Sequence, residues 1–372
     1  MPFEFELIHV CKQSGARRGR FRTPHGIVET PAYMPVGTQG TVKAVPPWEL
    51  KALGAGMILS NTYHLHLRPG EDVVAEAGGL HRFIGWDGPI LTDSGGYQVF
   101  SLSKLSKISD EGVSFRSHLD GSARFLTPEA AVAIQERLGS DVAMQLDECA
   151  PWPCDRERAE RALRRTIEWH GRSVTAKRRG DQALFPIVQG SSFPELRREG
   201  ARAAARSDPP GFGIGGLSVG EPKPIMYEMI EAVRPELPPE RPRYLMGVGS
   251  PDCLIEGAIR GIDLFDCVLA TRIARNGTAF TKRGRLIVKS ARYERDFAPI
   301  EGDCDCAACR GSSRAYLRHL FKANEVLALT LLSLHNLRFL TRLMEGLREA
   351  IEADASLDFA ERFYRTHPRG RW

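Results

Sequence analysis

The sequence lacks any long apolar run, although hydrophobic residues make up 42% of its 372 positions. A membrane-spanning helix needs about 20 consecutive apolar residues, so the sequence predicts no membrane span. The first ten residues, MPFEFELIHV, carry acids where a secretory signal carries bases. We therefore expect a cytoplasmic protein that works away from membranes, with enough chain for one large core or two ordinary ones.

The sequence also has little excess of one charge sign over the other, and few aromatic residues. The net charge is only +5, which does not by itself predict a nucleic-acid partner. Its distribution is more informative, because Arg272 to Arg295 contains eight Lys and Arg and a single acid, Glu294. Such a segment attracts phosphate groups, or else forms a solvated face. Aromatic residues make up 8%, which is low for a cleft that stacks on sugars.

The eight cysteines do not form the pattern of a disulfide framework, because three of them crowd into one short segment. Cys304, Cys306 and Cys309 place three thiols within six residues, which is typical of a zinc site. A structural site needs a fourth protein ligand, and both His319 and His335 lie in helical patterns nearby. We favour His335, which lies beside an apolar run in the amphipathic stretch 323–347.

A strand followed by a helical stretch recurs along most of the chain. Residues 1–30 alternate between apolar and polar side chains and predict one or two β-hairpins, and the polar residues 101–125 predict an insertion. Eight apolar strands are predicted, at 32–38, 56–62, 88–96, 141–148, 183–190, 211–217, 243–250 and 264–269. Eight such units favour an α/β fold, a (β/α)₈ TIM barrel, and a doubly wound sheet is the competing architecture.

Polar residues and glycines stand at the carboxyl ends of the predicted strands. In a barrel these ends converge on one mouth, where active sites lie. The residues are Asn61, Asp93, Asp147, Gln189, Gly216, Gly247 and Asp266. Asp266 follows a run that suits a buried strand, and an ionised carboxylate is costly there unless it is paired. An Asp that only caps a turn or pairs with Arg272 is the alternative, and the other carboxylates at the same rim make it less favourable.

Across almost its whole length the sequence resembles the bacterial tRNA-guanine transglycosylases. The matching stretches are SNTYHL (60–65), LTDSGGYQVFSL (91–102), QLDEC (145–149), IVQG (187–190), GIGGLSVGE (213–221), YLMGVG (244–249), FDCVLATR (265–272) and CDCAAC (304–309) with His335. The resemblance implies one barrel domain, 1–372, with a zinc subdomain at about 277–345 after the eighth strand. It also implies a homodimer that exchanges guanine at the wobble position of tRNA with a GUN anticodon for 7-aminomethyl-7-deazaguanine.

The resemblance also assigns roles to individual residues. Asp266 matches the family's nucleophile, which forms a covalent aspartyl-ribosyl intermediate, and Asp93 matches its general acid and base. The substrate-binding positions are Ser94, Gly95, Gly96, Tyr97, Asp147, Gln189, Gly216, Leu217 and Met246. The RNA-binding positions are Gly247, Val248, Gly249, Ser250, Pro251, Asp252, Cys253, Thr271, Arg272, Ile273, Ala274 and Arg275. Cys304, Cys306, Cys309 and His335 match the ligands of a structural Zn²⁺, one per subunit.

One position departs from the family pattern. Ala270 stands where the family usually has proline, and we expect a looser loop after Asp266. Val219 and Cys149 are similar to the bacterial form. Two rival functions remain at this point: a barrel glycoside hydrolase, which also uses two carboxylates, and a non-catalytic RNA-binding subunit. The basic segment and the zinc ligands argue against the first rival, and the presence of both Asp93 and Asp266 argues against the second.

Overall fold

The computed structural model describes residues 2–102 and 106–367. Its strands, in chain order, are Glu4–Val10 (β1), Arg17–Thr23 (β2), Gly26–Thr30 (β3), Ala32–Met34 (β4), Val36–Gly37 (β5), Ile58–Asn61 (β6), Ile90–Asp93 (β7), Lys107–Ile108 (β8), Val113–Arg116 (β9), Ala123–Leu126 (β10), Val142–Met144 (β11), Ala183–Phe185 (β12), Ile187–Val188 (β13), Phe212–Ile214 (β14), Arg243–Leu245 (β15), Leu264–Asp266 (β16), Thr278–Thr281 (β17) and Gly284–Ile287 (β18). Its α-helices are Pro47–Ala52 (α1), Thr62–Leu67 (α2), Glu71–Glu76 (α3), Leu80–Ile84 (α4), Gly96–Leu102 (α5), Pro128–Leu138 (α6), Arg156–Ala176 (α7), Pro194–Ala205 (α8), Lys223–Val233 (α9), Pro251–Ile259 (α10), Leu269–Arg275 (α11), Ala307–Gly311 (α12), Arg314–Lys322 (α13), Val326–Glu352 (α14) and Ser356–Thr366 (α15).

Parallel strands form two five-stranded sheets, in the orders β12-β11-β7-β6-β5 and β13-β14-β15-β16-β4. Only Pro35 separates β4 from β5, and only Pro186 separates β12 from β13. Proline has no N–H to donate to a ladder, so each of these strands is interrupted there. The carbonyls of Pro35 and Pro186 still accept from the N–H groups of Leu59 and Gly213 in the next strands. The two sheets are therefore one closed barrel of eight strands, which confirms the predicted fold and excludes the doubly wound sheet.

Each of the eight predicted strands contains an observed one, and the observed strands are shorter. The fifth prediction, 183–190, covers both β12 and β13 on either side of Pro186. Most of the excess residues belong to the turns that follow the strands at the mouth of the barrel. Helix α6 shows how the helical stretches between the strands begin, with Pro128 in its first turn and the Thr127 hydroxyl accepting from Ala130 N at 3.1 Å.

Antiparallel sheets lie outside the barrel. β1, β2 and β3 form a three-stranded sheet in which Phe5 faces Phe21, and both side chains are buried. β8, β9 and β10 form a second one in the predicted insertion at 101–125, of which residues 103–105 lie outside the described residues. The Trp169 indole of α7 donates to the carbonyl of Asp110 at 2.7 Å, so the insertion is anchored to a barrel helix.

The C-terminal segment wraps from the β17–β18 hairpin back to the barrel through α14. Asn336 of α14 donates to the carbonyls of Ala270 and Thr278, at 3.0 Å each, and accepts from Phe280 N at 2.8 Å. The expected loose loop after Asp266 is wrong: residues 269–275 form α11, and Ala270 is buried in its first turn. Proline is tolerated in the first turn of a helix, so alanine and proline both suit this position.

Across the described ranges, no helix has both the length and the apolar content that crossing a membrane requires.

Candidate active site

A pocket opens at the carboxyl ends of the barrel strands and brings most of the predicted substrate residues together. Its walls are Leu59, Asp93, Ser94, Gly95, Tyr97, Gln98, Asp147, Cys149, Gln189, Gly215, Gly216, Leu217, Ser218, Val219, Tyr244, Met246, Gly247 and Asp266. Gly96 is not part of the wall. A Cβ there would lie 3.2 Å from the carbonyl oxygen of Asp147, so Gly96 allows the chain after β7 to pack against the chain after β11.

Asp266, the last residue of β16, is held through one oxygen only. Its Oδ1 accepts from the Tyr244 hydroxyl and from Gly247 N, at 2.6 Å each. No donor to Oδ2 is present within residues 2–102 and 106–367, and the side chain is 8% exposed. Burial raises the pKa of Asp266, and the two donors oppose this shift. The carboxylate is thus oriented by one oxygen and leaves the other available for attack.

Asp93, at the end of β7, lies in the same pocket. Its carboxylate accepts from Thr62 N at 3.0 Å and from the side-chain amide of Asn61. Burial, together with the negative charge of Asp266, raises the pKa of Asp93 to about 7. A carboxyl group with such a pKa can both give and take a proton near neutral pH, as a general acid and base requires.

Asp147, three residues after β11, accepts from Gln189 Nε2 at 2.6 Å. Burial raises the pKa of Asp147 to about 6, while the bonds from Gln189 and Ser94 oppose the shift and the charge of Glu148 adds to it. The two donors to this carboxylate are neutral. Its charge is therefore available to N–H donors of a bound molecule.

Gly216 gives the pocket a wall made of backbone. Its φ of +63° lies in the left-handed region that favours glycine. A Cβ at this position would lie 2.2 Å from Gln189 Oε1, so any side chain would displace that amide. Leu217 follows as a buried wall residue, and Met246 contributes from the end of the neighbouring strand, β15.

Tyr97 lies at the rim of the pocket in the first turn of α5. Its side chain is 52% exposed, which excludes an ordinary core tyrosine and leaves an aromatic face open to a ligand. The turn before it needs Gly95, because φ is +79° there and a Cβ would lie 3.0 Å from Tyr63 N. The Ser94 hydroxyl accepts from Gly96 N at 3.2 Å and fixes the same turn.

The two predicted RNA-binding segments differ in exposure. In the first, Gly247 is exposed and Ser250 is half-buried, whereas Val248, Gly249, Pro251, Asp252 and Cys253 are buried. In the second, Arg272 and Arg275 are exposed, Ile273 is half-buried, and Thr271 and Ala274 are buried. The surface that these segments offer to a partner is therefore largely the backbone around Gly247 and the two guanidinium groups.

Several residues of the site are not predicted from the sequence. Leu59, Gln98, Ser218 and Tyr244 line the pocket, and Asn61, expected only as a strand-end residue, holds Asp93. Tyr244 lies inside the apolar run of β15 and looks like a core residue in the sequence. Its hydroxyl, pointed at Asp266, becomes visible only when β15 and β16 are paired.

The predicted zinc ligands converge in the C-terminal segment. His335 Nδ1 lies 3.7, 3.7 and 3.3 Å from the sulfurs of Cys304, Cys306 and Cys309, all of them buried. A tetrahedral zinc with its usual bond lengths separates sulfur and nitrogen ligands by about 3.5 Å, so this donor set fits the ion. His335 Nε2 contacts the carbonyl of Phe280 at 2.8 Å, which orients the ring. The four residues form a structural zinc site, and His319, exposed on α13, is outside it.

A second group of metal-type side chains, His25, His81 and Asp141, lies at the opposite end of the barrel. The two imidazole rings are stacked, with centroids 3.5 Å apart and planes 15° apart. A metal ion lies in the plane of each ring that ligates it, and nearly parallel planes cannot share one ion. The contacts with Asp141, at 2.8 and 3.1 Å, are those of hydrogen bonds.

Comparison with known proteins identifies the family of this chain. A family model described as queuine tRNA-ribosyltransferase matches residues 11–369. The chain belongs to this family. It is therefore an enzyme of the glycosyltransferase class.

Relatives named queuine tRNA-ribosyltransferase match over the full length. The protein of Pelotomaculum thermopropionicum is 59% identical over 367 residues, which cover 99% of each chain. That of Desulforamulus reducens is 56% identical over 370 residues, 100% of each chain. That of Acetivibrio thermocellus is 59% identical over 361 residues, 97% of this chain and 96% of the relative. These lengths leave no part of the barrel or the zinc segment outside the similarity.

Proposed function

We propose that the protein exchanges guanine at the wobble position of tRNA with a GUN anticodon for 7-aminomethyl-7-deazaguanine, through a covalent intermediate on Asp266. The observation that carries this proposal is the geometry of Asp266. One carboxylate oxygen is fixed by two donors, and the other is left free inside a pocket that also holds Asp93. This is the arrangement that a carboxylate nucleophile and a separate proton donor need.

Two displacements account for exchange with retained configuration, as in retaining glycosidases. In the first, Asp266 Oδ2 bonds to the anomeric carbon of the ribose while the bond to guanine breaks, and Asp93 donates a proton to the departing base. In the second, the incoming base attacks the same carbon, loses its proton to Asp93, and frees the Asp266 carboxylate. Protons and electron pairs balance, and Asp93 ends as it began.

Asp147 and the backbone at Gly216 account for the choice of base. The Asp147 carboxylate can accept from the N1–H and the 2-amino group of guanine, a pair of donors that adenine does not have. Gln189 and the Gly216 N–H are suited to the O6 oxygen, and Tyr97 offers a stacking face for a base taken out of the RNA stack. The amine-bearing base would enter the same pocket, because it presents the same edge.

The exposed cations between Arg272 and Arg295 would bind the anticodon stem and loop. We call them the basic surface: Arg272, Arg275, Lys282, Arg283, Arg285, Lys289, Arg292 and Arg295, all exposed. Lys282 pairs with Asp303, and in the described ranges the other seven pair with no carboxylate. Unpaired cations on one segment suit a phosphate backbone, with Gly247 to Cys253 and Thr271 to Arg275 contributing at the edge of the pocket.

A homodimer of one-domain subunits is part of the proposal. Two large apolar side chains are unusually exposed on the C-terminal segment, Phe297 at 78% and Val326 at 70%, and a second copy would cover them. Light scattering tests this: a dimer mass for wild type and a monomer mass for Phe297→Asp are expected. The domain is 1–372, with a zinc subdomain at about 277–345, and the enzyme works in the cytoplasm with its tRNA.

Incorporation of labelled guanine into unmodified tRNA tests the exchange itself. Wild type is expected to transfer label into the RNA, and Asp266→Asn is expected to transfer none although it is folded and binds tRNA. Asp358→Asn is the matched control, because Asp358 lies on α15 at the exposed surface. Absence of transfer by folded, zinc-loaded wild type would contradict the proposal.

A further inference from the structure

The charged group buried directly behind the base pocket is Arg197 of α8, whose side chain is 0% exposed. In the described part of the chain it pairs with no carboxylate, and its donors go to backbone oxygens instead. Nε donates to Ser191 O at 2.7 Å, Nη1 to Val188 O at 3.1 Å and Gly215 O at 2.6 Å, and Nη2 to Gly216 O at 2.9 Å. A guanidinium held this way costs desolvation energy, which lowers its pKa to about 10.

Helix α8 comes this close to the strand ends because glycines leave room for it. A Cβ on Gly190 would lie 2.6 Å from Arg197 N, and a Cβ on Gly200 would lie 2.9 Å from Gln189 O. Gly190 also has a φ of +138°. Helix α8, the turn at Gln189 and the turn at Gly215–Gly216 thus pack together, with the guanidinium of Arg197 between them.

The hydrogen bonds of Arg197 determine how two peptide groups face. Both are trans, and in a trans peptide the N–H points away from the C=O. The carbonyl of Gly215 shares its peptide with the N–H of Gly216, and the carbonyl of Gly216 shares its peptide with the N–H of Leu217. Because both carbonyls point at Arg197 behind the wall, both N–H groups point the other way, into the pocket that these residues line. Within the described ranges, neither N–H donates to another protein atom.

We propose that Arg197 is a positioning residue for base recognition, which holds the carbonyls of Gly215 and Gly216 so that their peptides present N–H donors to the 6-oxygen edge of the base. The positive charge also polarises these peptides and makes their N–H groups better donors. The residue touches no substrate. This inference rests on the proposed assignment of the pocket to guanine.

Binding of guanine and of 6-thioguanine by the purified enzyme separates this role from a general structural one. The two bases present the same N1–H and 2-amino group, and they differ in the acceptor at position 6, where sulfur accepts hydrogen bonds weakly. In Arg197→Gln, the affinity for guanine is expected to fall about tenfold, the equivalent of one good hydrogen bond, and that for 6-thioguanine less than about twofold. The preference for guanine over 6-thioguanine is therefore expected to shrink.

Arg243→Gln is the matched control, because Arg243 is also buried and donates to a carbonyl, that of Leu237, at 3.0 Å. It lies at the other end of the barrel, so its loss is expected to lower stability and leave the preference unchanged. Should Arg197→Gln fail to fold, Arg197→Lys replaces it. Lysine keeps the positive charge but lacks the planar guanidinium that reaches both carbonyls. The preference for guanine over 6-thioguanine is therefore expected to fall roughly threefold.

Equal losses for the two bases in the Arg197 variants would overturn the inference, because they would mean that Arg197 only supports the fold. If Asp147→Ala binds guanine as tightly as wild type does, the assignment of the pocket to guanine is overturned instead. The two failures are thus distinguishable in one series of titrations.

Discussion

The two ends of the barrel both bury aspartates, but in opposite electrostatic settings. At the amino end, Asp141 and Asp263 are buried at 1% and 0% exposure. Asp263 forms an ion pair with Arg17 and accepts from Arg243 N at 2.7 Å. At the carboxyl end, Asp93, Asp147 and Asp266 are held by neutral donors, and none of them forms an ion pair with a described residue.

The pKa shifts follow this difference. Burial raises the pKa of Asp141, but bonds with His81, Ile90 N and His25 outweigh it, and the pKa is lowered. At the mouth, burial prevails and the pKa values of all three carboxyl groups are raised. Asp141 therefore stabilises the fold as an anion, whereas ionisation of the three carboxyl groups at the mouth costs stability. Hydrogen-bond and ion-pair partners, rather than burial, distinguish the aspartates at the two ends of the barrel.

Among variants that keep the nucleophile, the largest loss of exchange is expected from removing the Asp147 carboxylate, which is proposed to bind the base. Asp147→Ala is predicted to lower guanine exchange by about 30- to 1,000-fold, the equivalent of about 2–4 kcal/mol of charge-assisted hydrogen bonds. Steady-state exchange assays with tRNA measure this loss, and the zinc content should be unchanged. Exchange at the wild-type rate would show that Asp147 is not a recognition residue.

Asp141→Asn is predicted to have the opposite profile. Because the pKa of Asp141 is lowered in the folded protein, its carboxylate adds to the free energy of unfolding above pH 3.8, its ordinary pKa. This stabilisation is lost as the pH falls through the lower pKa of the folded state. At pH 8 the variant is expected to lose about 3 kcal/mol in the free energy of unfolding, with kcat nearly unchanged.

Asp147→Asn at the mouth is the matched comparison. Because the pKa of Asp147 is raised to about 6, its destabilising effect is absent below pH 3.8 and complete above about pH 6. Denaturation at pH 8 is therefore expected to show equal or higher stability for this variant. A stability loss as large as that of Asp141→Asn would break the comparison.

The pH dependence of exchange is predicted to be a narrow bell. In the proposed mechanism, exchange requires ionised Asp147, whose pKa is about 6, and protonated Asp93, whose pKa is about 7. The rate should rise toward pH 6 and fall above pH 7, with apparent values that belong to the coupled group. The residual exchange rate of Asp93→Asn should not fall above pH 7. A flat profile from pH 5 to pH 9 would contradict the assignment of both carboxyl groups.

The smallest effect is expected from Tyr244→Phe, which removes one of the two donors to Asp266 Oδ1. That donor opposes the rise in the pKa of Asp266, so its loss should raise the pKa further and reduce the ionised nucleophile. Exchange is expected to fall about tenfold, with a larger loss toward acid pH than toward alkaline pH. Tyr33→Phe is the control, because the Tyr33 hydroxyl donates to the carbonyl of Cys267 and not to Asp266.

The sequence reveals the barrel and the strand-end residues because both follow from local patterns. Apolar runs of strand length alternate with helical stretches, and parallel topology places all carboxyl ends at one mouth. The clustered cysteines mark the zinc site in the same way, although the choice of His335 over His319 needed an argument about helix packing. The apolar pattern predicts strands that are too long, because it continues into the apolar, glycine-rich turns after them.

Other features depend on contacts between distant residues and leave no local pattern. Tyr244 and Arg197 are examples: one resembles a core residue within a strand, and the other resembles a surface residue of a charged helix. Arg197 is buried only because Gly190 and Gly200 let α8 approach the strand ends. The burial of Val248 and of residues 251–253 likewise depends on how α10 packs, and the sequence of the predicted RNA-binding segment does not reveal it.

Trapping the covalent intermediate is the most direct test of the contrast between the two ends of the barrel. Wild-type enzyme is mixed with labelled tRNA without free base, denatured, and separated by electrophoresis; Asp266→Asn and Asp263→Asn are treated alike. The predicted result is an RNA–protein adduct for wild type and for the folded fraction of Asp263→Asn, and none for Asp266→Asn. An adduct that survives in Asp266→Asn would contradict the role of Asp266 as the nucleophile.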